Sequence, residues 1–530
     1  MNQIYFETAA EELMPKGMVI TMDERQEKYL SELERIRKGG PEKYHLTLKK
    51  QNKLFVRDRL NLLFDESSIL EEGTFSNCLD PELPEDGNIV GMAKINGRLV
   101  CFAAADFTVK AGSWGAKGVQ KLLYIQEKAL SMKLPIIYLV DSAGARITDQ
   151  KEVFPGRNHI GRVFYNQIKM SGIIPQITIL FGVSPAGAAY LPAFSDLVIM
   201  VEGKASAFLG SPRMVEAVIG EKVSLEDLGG ARMHCNVSGL GDVLAKDDTH
   251  AIELCKNYFA FLPQSCLEKP VSVAAKDPAE GRPIAEIIPH NQNQPFDMYE
   301  LIDRIVDEGS FLEYKALFAQ ELITGWARIK GEAVGIVANQ SKVKGGTLFV
   351  DSSDKGARFI WFCSAYNIPL VFLADIPGYM VGSQVERAGI IRHGAKMISA
   401  VSEATVPKIT VVVRKCYGAG LYAMAGPAFG TDSVLALPTA LIAVMGPEAA
   451  VKAVYSNKID ELEGEARLAF MNQKKEEYSD NINIYGLASE LIVDQLIDFE
   501  GIRKELSYRL EAYRSKVRVW PQKNNPIHPV

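Results

Sequence analysis

A long internal repeat constrains this chain more than any other feature of its sequence. Short segments within residues 91–218 recur in the same order within residues 325–454, displaced each time by about 234 residues. The matched segments are 91–97 with 325–331, 135–141 with 369–375, and Ala186 and Gly187 with Ala419 and Gly420. Solenoid repeats are much shorter, at roughly 20–50 residues. The sequence therefore predicts two tandem copies of one domain.

The repeat and its flanks divide the chain into four regions. We predict a helical N-terminal extension over residues 1–56, a first domain over 57–262, a linker over 263–296 and a second domain over 297–530. The linker is predicted because this stretch is rich in Pro, Asn and Gln and has little hydrophobic periodicity. The length of 530 residues is ample for two domains of ordinary size.

Within each copy, short apolar segments alternate with longer amphipathic ones. In the first copy, residues 99–105, 135–140 and 177–181 are apolar and rich in β-branched side chains. Between the first two segments, apolar side chains from Val119 to Leu130 have the spacing of a helix. Apolar strands separated by helices are typical of a parallel sheet that is covered on both faces. We therefore predict the α/β class for both copies, with strand–helix–strand crossovers.

Charge and cysteine content exclude several classes of protein. The net charge is −6, with 59 basic and 65 acidic residues, which argues against nucleic acid as the main partner. The seven cysteines include no Cys-x-x-Cys pair, so neither a disulfide framework nor a four-cysteine zinc site is expected. The first residues lack a basic region followed by an apolar stretch, so no signal peptide is expected. Together these features favour a cytoplasmic protein.

One stretch without charges has nearly the length of a membrane span. Residues 177–195 contain no charged side chain, but they include Gly182, Pro185, Gly187 and Pro192. Because glycine and proline interrupt helices, this stretch does not form one continuous helix. We predict a buried strand, a glycine turn and a short buried helix instead.

Standard nucleotide and metal motifs are absent from the sequence. There is no Gly-x-x-x-x-Gly-Lys-Ser/Thr loop, no Gly-x-Gly-x-x-Gly turn after a strand and no His-Glu-x-x-His helix. We therefore predict no ATP or NAD site of these types and no metal site. Residues 182–187 differ by one position from a nucleophile elbow, and the second copy has no serine there. Ser184 is accordingly interpreted as a turn hydroxyl.

Small residues follow a predicted strand in both copies. Ala186 and Gly187 in the first copy, and Ala419 and Gly420 in the second, are expected where an apolar helix begins. The first N–H groups of a helix have no intrahelical partner, and the helix dipole is positive there. Such donors can form an oxyanion hole. The alternative is close packing of helix on sheet, which also requires small residues.

A second turn follows an earlier strand of each copy. Residues 141–146 (DSAGAR) in the first copy match 375–379 (DIPGY) in the second. Backbone donors near Gly144 and Gly378 are expected to line the same cleft as the helix starts. For Arg146, a structural ion pair and a ligand contact are both open.

Several long motifs resemble one known family. They are GSWGAKG (112–118), DSAGARI (141–147), EVFPGRNHIGRVFYNQ (152–167), SPAGAAYLPAFSD (184–196), EDLGGARMHCNVSG (226–239) and RKCYGAGLYAMAGPAFG (414–430). From about residue 35 onward the chain resembles the carboxyltransferase β subunit of biotin-dependent acyl-CoA carboxylases. The resemblance implies two tandem crotonase-like domains in one chain.

The resemblance also implies a mechanism. Carboxybiotin on a separate carrier releases CO₂, the biotin anion removes a proton from the acyl-CoA, and the thioester enolate takes up the CO₂. Ala186 and Gly187 match the oxyanion hole of the family for the acyl-CoA, and Ala419 and Gly420 match its hole for biotin. The implied acyl-CoA-binding residues are Gly112, Ser113, Lys117, Gly144, Ala145 and Arg146. The implied biotin-binding residues are Gly378, Gly418 and Tyr422.

The resemblance further implies partners and a class of substrate. The chain has no Ala-Met-Lys-Met biotinylation site and no ATP-binding lysine loop, so a biotin carboxylase and a biotin carrier are expected as partners. A homohexamer built as a trimer of dimers is expected, with the acyl-CoA hole of one subunit facing the biotin hole of another. Propionyl- and acetyl-type enzymes carry aspartate where Tyr422 stands, and residues 154–159 resemble methylcrotonyl-type enzymes. Methylcrotonyl-CoA is therefore favoured, followed by propionyl-CoA or acetyl-CoA.

Two alternatives to a carboxylase subunit stay open. The chain resembles the carboxyltransferase subunits of biotin-dependent decarboxylases as well, and these work with a membrane pump. A non-catalytic CoA-binding assembly protein on a crotonase-like scaffold is the second alternative, although both small-residue turns are intact.

Overall fold

The computed structural model of the protein describes residues 23–517 and 527–529. The described part of the predicted N-terminal extension contains two helices, α1 (Glu24–Arg37) and α2 (Glu42–Lys50). Helix α1 begins at Asp23, whose carboxylate accepts the N–H groups of Arg25 and Gln26, because such a cap satisfies donors of the first turn. Residues 1–22 of the predicted extension lie outside the described residues.

The first half of the chain forms a seven-stranded sheet in the order β1-β2-β3-β4-β5-β7-β9. Strands β1 to β3 are antiparallel, and β3, β4, β5, β7 and β9 are parallel to one another. The strands are β1 Leu70–Glu72, β2 Asn88–Ile95, β3 Arg98–Ala105, β4 Ile136–Val140, β5 Gln176–Leu180, β7 Leu197–Val201 and β9 Val243–Ala245. A separate two-stranded sheet pairs β6 (Val183–Pro185) with β8 (Ser206–Phe208).

Helices of the first half cover this sheet, and their apolar faces complete its core. Two of them, Ala116–Met132 and Ile160–Met170, pack against each other. The helices in chain order are α3 Val56–Leu63, α4 Ala116–Met132, α5 Gln150–Val153, α6 Ile160–Met170, α7 Tyr190–Ala193, α8 Pro212–Ile219, α9 Leu225–Gly229, α10 Ala231–Met233 and α11 Asp248–Phe259. All five residues of β4 and of β5 are buried, as expected for central strands of a covered parallel sheet.

The second half repeats this arrangement in a second sheet, with the order β10-β11-β12-β13-β14-β15-β17. Its strands are β10 Leu312–Glu313, β11 Leu322–Ile329, β12 Glu332–Asn339, β13 Leu370–Ile376, β14 Lys408–Tyr417, β15 Ser433–Ala436 and β17 Gln495–Leu496, and β16 Leu441–Ala443 pairs with β14. Its helices are α12 Ile284–Ile287, α13 Met298–Ile305, α14 Val350–Ala365, α15 Ser383–Arg387, α16 Ile390–Glu403, α17 Ala419–Ala423, α18 Pro447–Asp460, α19 Gly464–Asn481, α20 Ile484–Ser489 and α21 Ile502–Ala512. Short α12 falls within the stretch predicted as linker.

Equivalent aspartates hold equivalent turns in the two sheets. Asp65 accepts the N–H of Gly97 at 2.7 Å in the β2–β3 hairpin, and Asp307 accepts the N–H of Gly331 at 2.8 Å in the β11–β12 hairpin. Both glycines have a positive φ, of 77° and 80°, and only glycine adopts such values without strain. The repeated Gly-x-x-x-x-x-Gly segments therefore encode the same hairpin twice.

The two halves share one hydrophobic core and several buried polar contacts. Arg358 donates to the carbonyl oxygen of Ser195 at 2.6 Å. The Tyr366 hydroxyl donates to Asp196 at 2.7 Å, and Lys315 pairs with Asp242 at 2.5 Å. Desolvation by burial raises the pKa of Asp196 to about 6. The halves are therefore joined by packing as well as by the chain.

The predicted α/β class and parallel sheets are confirmed. The predicted strands at 99–105, 135–140 and 177–181 are observed as β3, β4 and β5, each within one residue at both ends. The stretch without charges folds as β5, then β6, then the 3₁₀ turn Ala186–Ala189 and helix α7. Across residues 23–517 and 527–529, no helix has the length and apolarity that a bilayer crossing requires.

Candidate active site

A left-handed turn follows β3 in the first half and β12 in the second. Lys110, Ala111 and Gly112 have φ values of 46°, 54° and 64°, and residues 344–346 repeat this with 48°, 67° and 74°. A Cβ at Gly112 would lie 2.3 Å from the carbonyl oxygen of Asp141. Glycine is therefore required for the turn to approach the end of the neighbouring strand.

Hydrogen bonds tie this turn to the one after β4. The Ser142 hydroxyl donates to the Gly112 carbonyl at 2.6 Å. The N–H of Trp114 donates to the Gly144 carbonyl at 2.8 Å, and the second half repeats this bond from Leu348 to Gly378 at 3.1 Å. The structure thus brings together the sequence-predicted Gly112, Ser113, Gly144 and Ala145 at the carboxyl ends of parallel strands, where ligands bind in open α/β sheets.

Arg146 lies beside these turns and its guanidinium is already paired. It contacts the carboxylates of Asp86 at 2.7 Å and Asp149 at 3.0 Å, and Nε donates to the Ser113 hydroxyl at 3.3 Å. Asp86 is buried and also accepts the N–H of Gly118 at 2.8 Å, in the first turn of α4. Of the two roles left open by the sequence, the ion pair is therefore present.

Lys117 stands apart from this network. Its side chain is exposed at the start of α4, and Nζ donates to the Gln120 side chain at 3.1 Å. An exposed ammonium here is free to reach an anionic ligand that arrives over the left-handed turn.

The first helix start of interest follows β6. Ala186 opens the 3₁₀ turn Ala186–Ala189 with a φ of 52°, a left-handed value that is uncommon for alanine. Ala186 and Gly187 are exposed, whereas Ala188 is buried. The first N–H groups of such a turn have no acceptor within it. Ser184 is fully buried and its hydroxyl donates to the Ala188 carbonyl at 2.9 Å, which agrees with a turn hydroxyl.

The second helix start follows β14. Gly418 has φ 55° and ψ −139°, a conformation open only to glycine, and it directly precedes α17. Ala419 is exposed and Gly420 is buried. Tyr422 is 45% exposed on the same short helix, with its ring 5.2 Å from that of Phe429.

The strand pairing aligns the two helix starts with each other in a register that differs by one residue from the match found in the sequence. Val183 and Pro185 pair with Ser206 and Phe208, and Lys415 and Tyr417 pair in the same way with Leu441 and Ala443. This register makes Gly418 the equivalent of Ala186, and both have a left-handed φ. Gly187 and Ala188 are consequently the equivalents of Ala419 and Gly420. The repeat alignment that paired Ala186 and Gly187 with Ala419 and Gly420 was displaced by one residue.

Ala188 is thus the equivalent of Gly420, a position that sequence reasoning missed. The signal was present, because Pro175 and Pro407 at the start of the preceding strand already differ by 232 rather than 233. At each aligned position of residues 186–188 and 418–420, one half has alanine where the other has glycine. The identical Ala-Gly pairs therefore suggested an alignment that is displaced by one residue.

The two glycines differ in the space around them. A Cβ at Gly187 would meet nothing within 4 Å. A Cβ at Gly420 would lie 2.9 Å from Ile376 Cδ1 and 3.2 Å from the Cα of Gly378. The first helix start is therefore open toward an incoming ligand on that side, and the second is packed against the turn that holds Gly378.

Cys416 and Tyr417, just before the second helix start, are poorly suited to act as a base or nucleophile. Burial, with a smaller contribution from Asp375, raises the pKa of Tyr417 to about 12. Burial also raises the pKa of the Cys416 thiol well above its usual range. The helix start itself offers hydrogen-bond donation from the backbone. Among residues 23–517 and 527–529, no three His, Cys, Asp or Glu side chains are grouped as metal ligands.

Comparison with known proteins decides the family. Residues 48–527 match the model of the carboxyl transferase domain. This chain belongs to the carboxyl transferase family. Family membership makes it an enzyme of carboxyl transfer, and the resemblance found in the sequence is confirmed.

Relatives align over most of their length with this carboxyl transferase. An uncharacterized carboxylase of Bacillus subtilis (strain 168), YngE, is 61% identical over 498 residues, which cover 94% of this chain and 98% of the relative. The mitochondrial methylcrotonoyl-CoA carboxylase β chain of Arabidopsis thaliana is 40% identical over 512 residues, with 91% and 84% covered.

A solved structure with the same architecture is that of the transcarboxylase 12S hexamer with methylmalonyl-coenzyme A and methylmalonic acid bound. It superposes with a TM-score of 0.90 at 38% identity and covers 97% of this chain and 100% of that one. The predicted fold of two tandem crotonase-like domains is confirmed by this likeness.

Proposed function

We propose that this chain is the carboxyltransferase subunit of an acyl-CoA carboxylase, which moves CO₂ from carboxybiotin on a separate carrier to a short or branched acyl-CoA. The observation that carries the proposal is the pair of equivalent helix starts, one in each sheet, at Gly187 and Ala188 and at Ala419 and Gly420. A transfer between two carbonyl compounds needs two oxyanion sites, and we assign one to the helix start of each half.

Each helix start and the turn beside it form one half-site, the first for the acyl-CoA and the second for biotin. The residues at each half-site fit the proposed groups. Around the first helix start, the exposed Lys117 and the open side of Gly187 suit a CoA ester that arrives from solvent. Around the second, Gly420 is packed against Ile376 and Gly378, whereas Ala419 and Tyr422 are exposed, which suits a flat ring laid against the exposed side of the helix start. When bound, the carboxylated biotin of a carrier supplies the carboxyl group, and the ring left behind supplies the base.

The chain itself contributes backbone donors. The N–H groups at Gly187 and Ala188 are proposed to bind the thioester oxygen as it becomes an enolate, and Ala186 to set the direction of the turn. Those of Ala419 and Gly420 are proposed to bind the oxygen of the biotin ring, which Gly418 and Tyr422 border. Each such donor contributes about 2.7–4 kcal/mol to the transition state in enzymes where it has been removed.

Methylcrotonyl-CoA is the proposed substrate, with propionyl-CoA or acetyl-CoA next. Support comes from Tyr422, which replaces an aspartate of the propionyl type, and from the Phe-Pro-Gly-Arg-Asn-His segment at residues 154–159. A biotin carboxylase and a biotin carrier are the proposed partners, and a cytoplasmic location is proposed with them.

The direct test is carboxyl transfer from a carboxylated carrier to a panel of acyl-CoAs. Transfer to methylcrotonyl-CoA with the highest kcat/KM is expected. Transfer to another acyl-CoA alone would change the substrate, and no transfer to any would overturn the function. Copurification with a membrane-embedded subunit instead of a biotin carboxylase would favour the decarboxylase direction.

We propose further that each site forms between two subunits of a hexamer, so a mixed oligomer tests it. Gly187→Val damages only the acyl-CoA half-site, since its Cβ has open space. Gly420→Ala combined with Ile376→Val damages the other half-site with less overpacking than Gly420→Ala alone, because Ile376 Cδ1 at 2.9 Å is removed while Cγ1 at 3.0 Å stays. Each variant alone is expected to be nearly inactive. Coexpression restores up to half of the activity per mixed dimer if sites span subunits, and none if each site lies within one chain.

A further inference from the structure

The buried carboxylate of Asp141 directly follows strand β4, next to the turns of the first half-site. Asp141 is 1% exposed, and its two oxygens lie 3.0 and 3.1 Å from Nζ of Lys53. Arg59 reaches the same carboxylate at 3.4 Å. Lys53 comes from the segment that precedes the first sheet, and its side chain is 7% exposed. A segment outside the repeat therefore supplies most of the positive charge that Asp141 needs.

The second half buries the equivalent carboxylate but neutralises it differently. Asp375 at the end of β13 is fully buried, and Arg414 lies 2.6 Å from it. Arg414 is itself fully buried, stacks over the Phe296 ring at 4.6 Å and donates to the Gln294 carbonyl at 2.7 Å. Here the cation comes from strand β14, inside the repeat.

The strand register explains how one arrangement replaces the other. Since Val183 is equivalent to Lys415, the residue before it, Gly182, is equivalent to Arg414. A Cβ at Gly182 would lie 1.8 Å from Asp141 Oδ1 and 2.7 Å from Lys53 Nζ. Lys53 thus fills the place of the side chain that Gly182 lacks.

Each carboxylate lies directly at the turn that its half-site uses. Ser142, the residue after Asp141, donates to the Gly112 carbonyl, and a Cβ at Gly112 would meet the Asp141 carbonyl oxygen at 2.3 Å. On the other side, the N–H of Lys415 donates to Asp375 at 3.4 Å, three residues before Gly418. A shift of either carboxylate therefore moves the backbone at one half-site.

We infer that Lys53 and Arg414 are positioning residues, each of which fixes the backbone of one half-site through a buried aspartate. The inference rests on the proposed function. Lys53 with Asp141 sets the acyl-CoA turns, and Arg414 with Asp375 sets the biotin turns. Neither cation needs to touch a substrate. A displacement of about 1 Å can cost about 100-fold in rate, so the effect of each cation is specific to its own half-site.

Lys53→Met and Arg414→Met are compared with a matched control, Arg503→Met. Arg503 forms a partly buried ion pair with a buried aspartate, 2.8 Å from Asp307, at the hairpin turn at the opposite end of the second sheet. For each protein we measure the melting temperature, the calorimetric Kd for methylcrotonyl-CoA and propionyl-CoA, and the KM for the carboxylated carrier. Lys53→Arg and Arg414→Lys test rescue by a retained charge.

Lys53→Met is expected to weaken acyl-CoA binding at least tenfold and to leave the carrier KM within twofold. Arg414→Met is expected to do the reverse, and the charge-retaining variants to recover most of each loss. Equal changes in both constants, or changes no larger than those of Arg503→Met, would overturn the inference. If Lys53→Met does not fold, Lys53→Gln is measured under the same criteria. A wild-type enzyme that binds no acyl-CoA would overturn the proposed function instead.

Discussion

Alanine at each helix-start glycine tests the difference in space between the two half-sites. A Cβ at Gly420 would lie 2.9 Å from Ile376 Cδ1, and overpacking of this kind costs about 1–3 kcal/mol. A Cβ at Gly187 would meet nothing within 4 Å. Replacing glycine by alanine at a compatible φ stabilises by about 0.4–1 kcal/mol, because the unfolded chain loses freedom. The net expectation is a destabilisation of about 1–2 kcal/mol for Gly420→Ala and a small stabilisation for Gly187→Ala.

Thermal unfolding followed by circular dichroism separates these expectations. In a domain of this size 1 kcal/mol shifts Tm by about 2–4 °C, so Gly420→Ala should lower Tm by about 2–8 °C, and Gly187→Ala should keep or raise it. Ile376→Val removes the closest atom, so the double variant with Gly420→Ala should lose less than the sum of the single changes. Equal Tm shifts for the two alanine variants would refute the argument from space.

Three further outcomes are expected. Gly418→Ala places a side chain at φ 55° and ψ −139° and should destabilise by about 1–3 kcal/mol, whereas Ala186→Gly should change Tm little; equal losses in Tm would contradict this. Burial raises the pKa of Asp196 to about 6, so the wild-type protein loses stability as this carboxyl ionises with rising pH. The difference in Tm between Asp196→Asn and wild type should therefore increase between pH 5 and 7.5. A difference that stays constant would exclude this effect of Asp196. Arg146→Met leaves Asp86 buried without its cation and should lower Tm, and the further change Asp86→Asn should restore Tm. A higher KM for acyl-CoA at unchanged Tm would instead indicate that Arg146 contacts the ligand.

The fold could be predicted from the sequence because its signals are local or repeated. Apolar segments without charges, such as 135–140, become central strands since both faces of a parallel sheet are covered. The Gly-x-x-x-x-x-Gly segments ending at Gly97 and Gly331 recur because the hairpin requires a positive φ at its last residue. The short strand β6 was not predicted, because three residues at the end of an apolar stretch carry no periodicity of their own.

The site was predicted only in part, because some of its contacts join distant segments. Gly187 and Ala419 could be picked out as small residues at helix starts, but the register that adds Ala188 depends on strand pairing. Lys53 carries no signal at all, since it precedes the repeat by many residues and reaches Asp141 only in the folded chain. The pairing of Arg146 with Asp86 likewise depends on a left-handed turn that composition does not reveal.

The contacts between the two halves have a consequence for a nicked enzyme. Residues 268–279 are largely exposed between the halves, so limited proteolysis is expected to cut there first. The bonds from Arg358 to Ser195 and from Tyr366 to Asp196, together with the common core, do not depend on that segment. After cleavage the two fragments should stay together through gel filtration and separate only in denaturant. A single polypeptide and a two-piece enzyme of this fold therefore differ in covalent connection but not in the surface that holds their halves together.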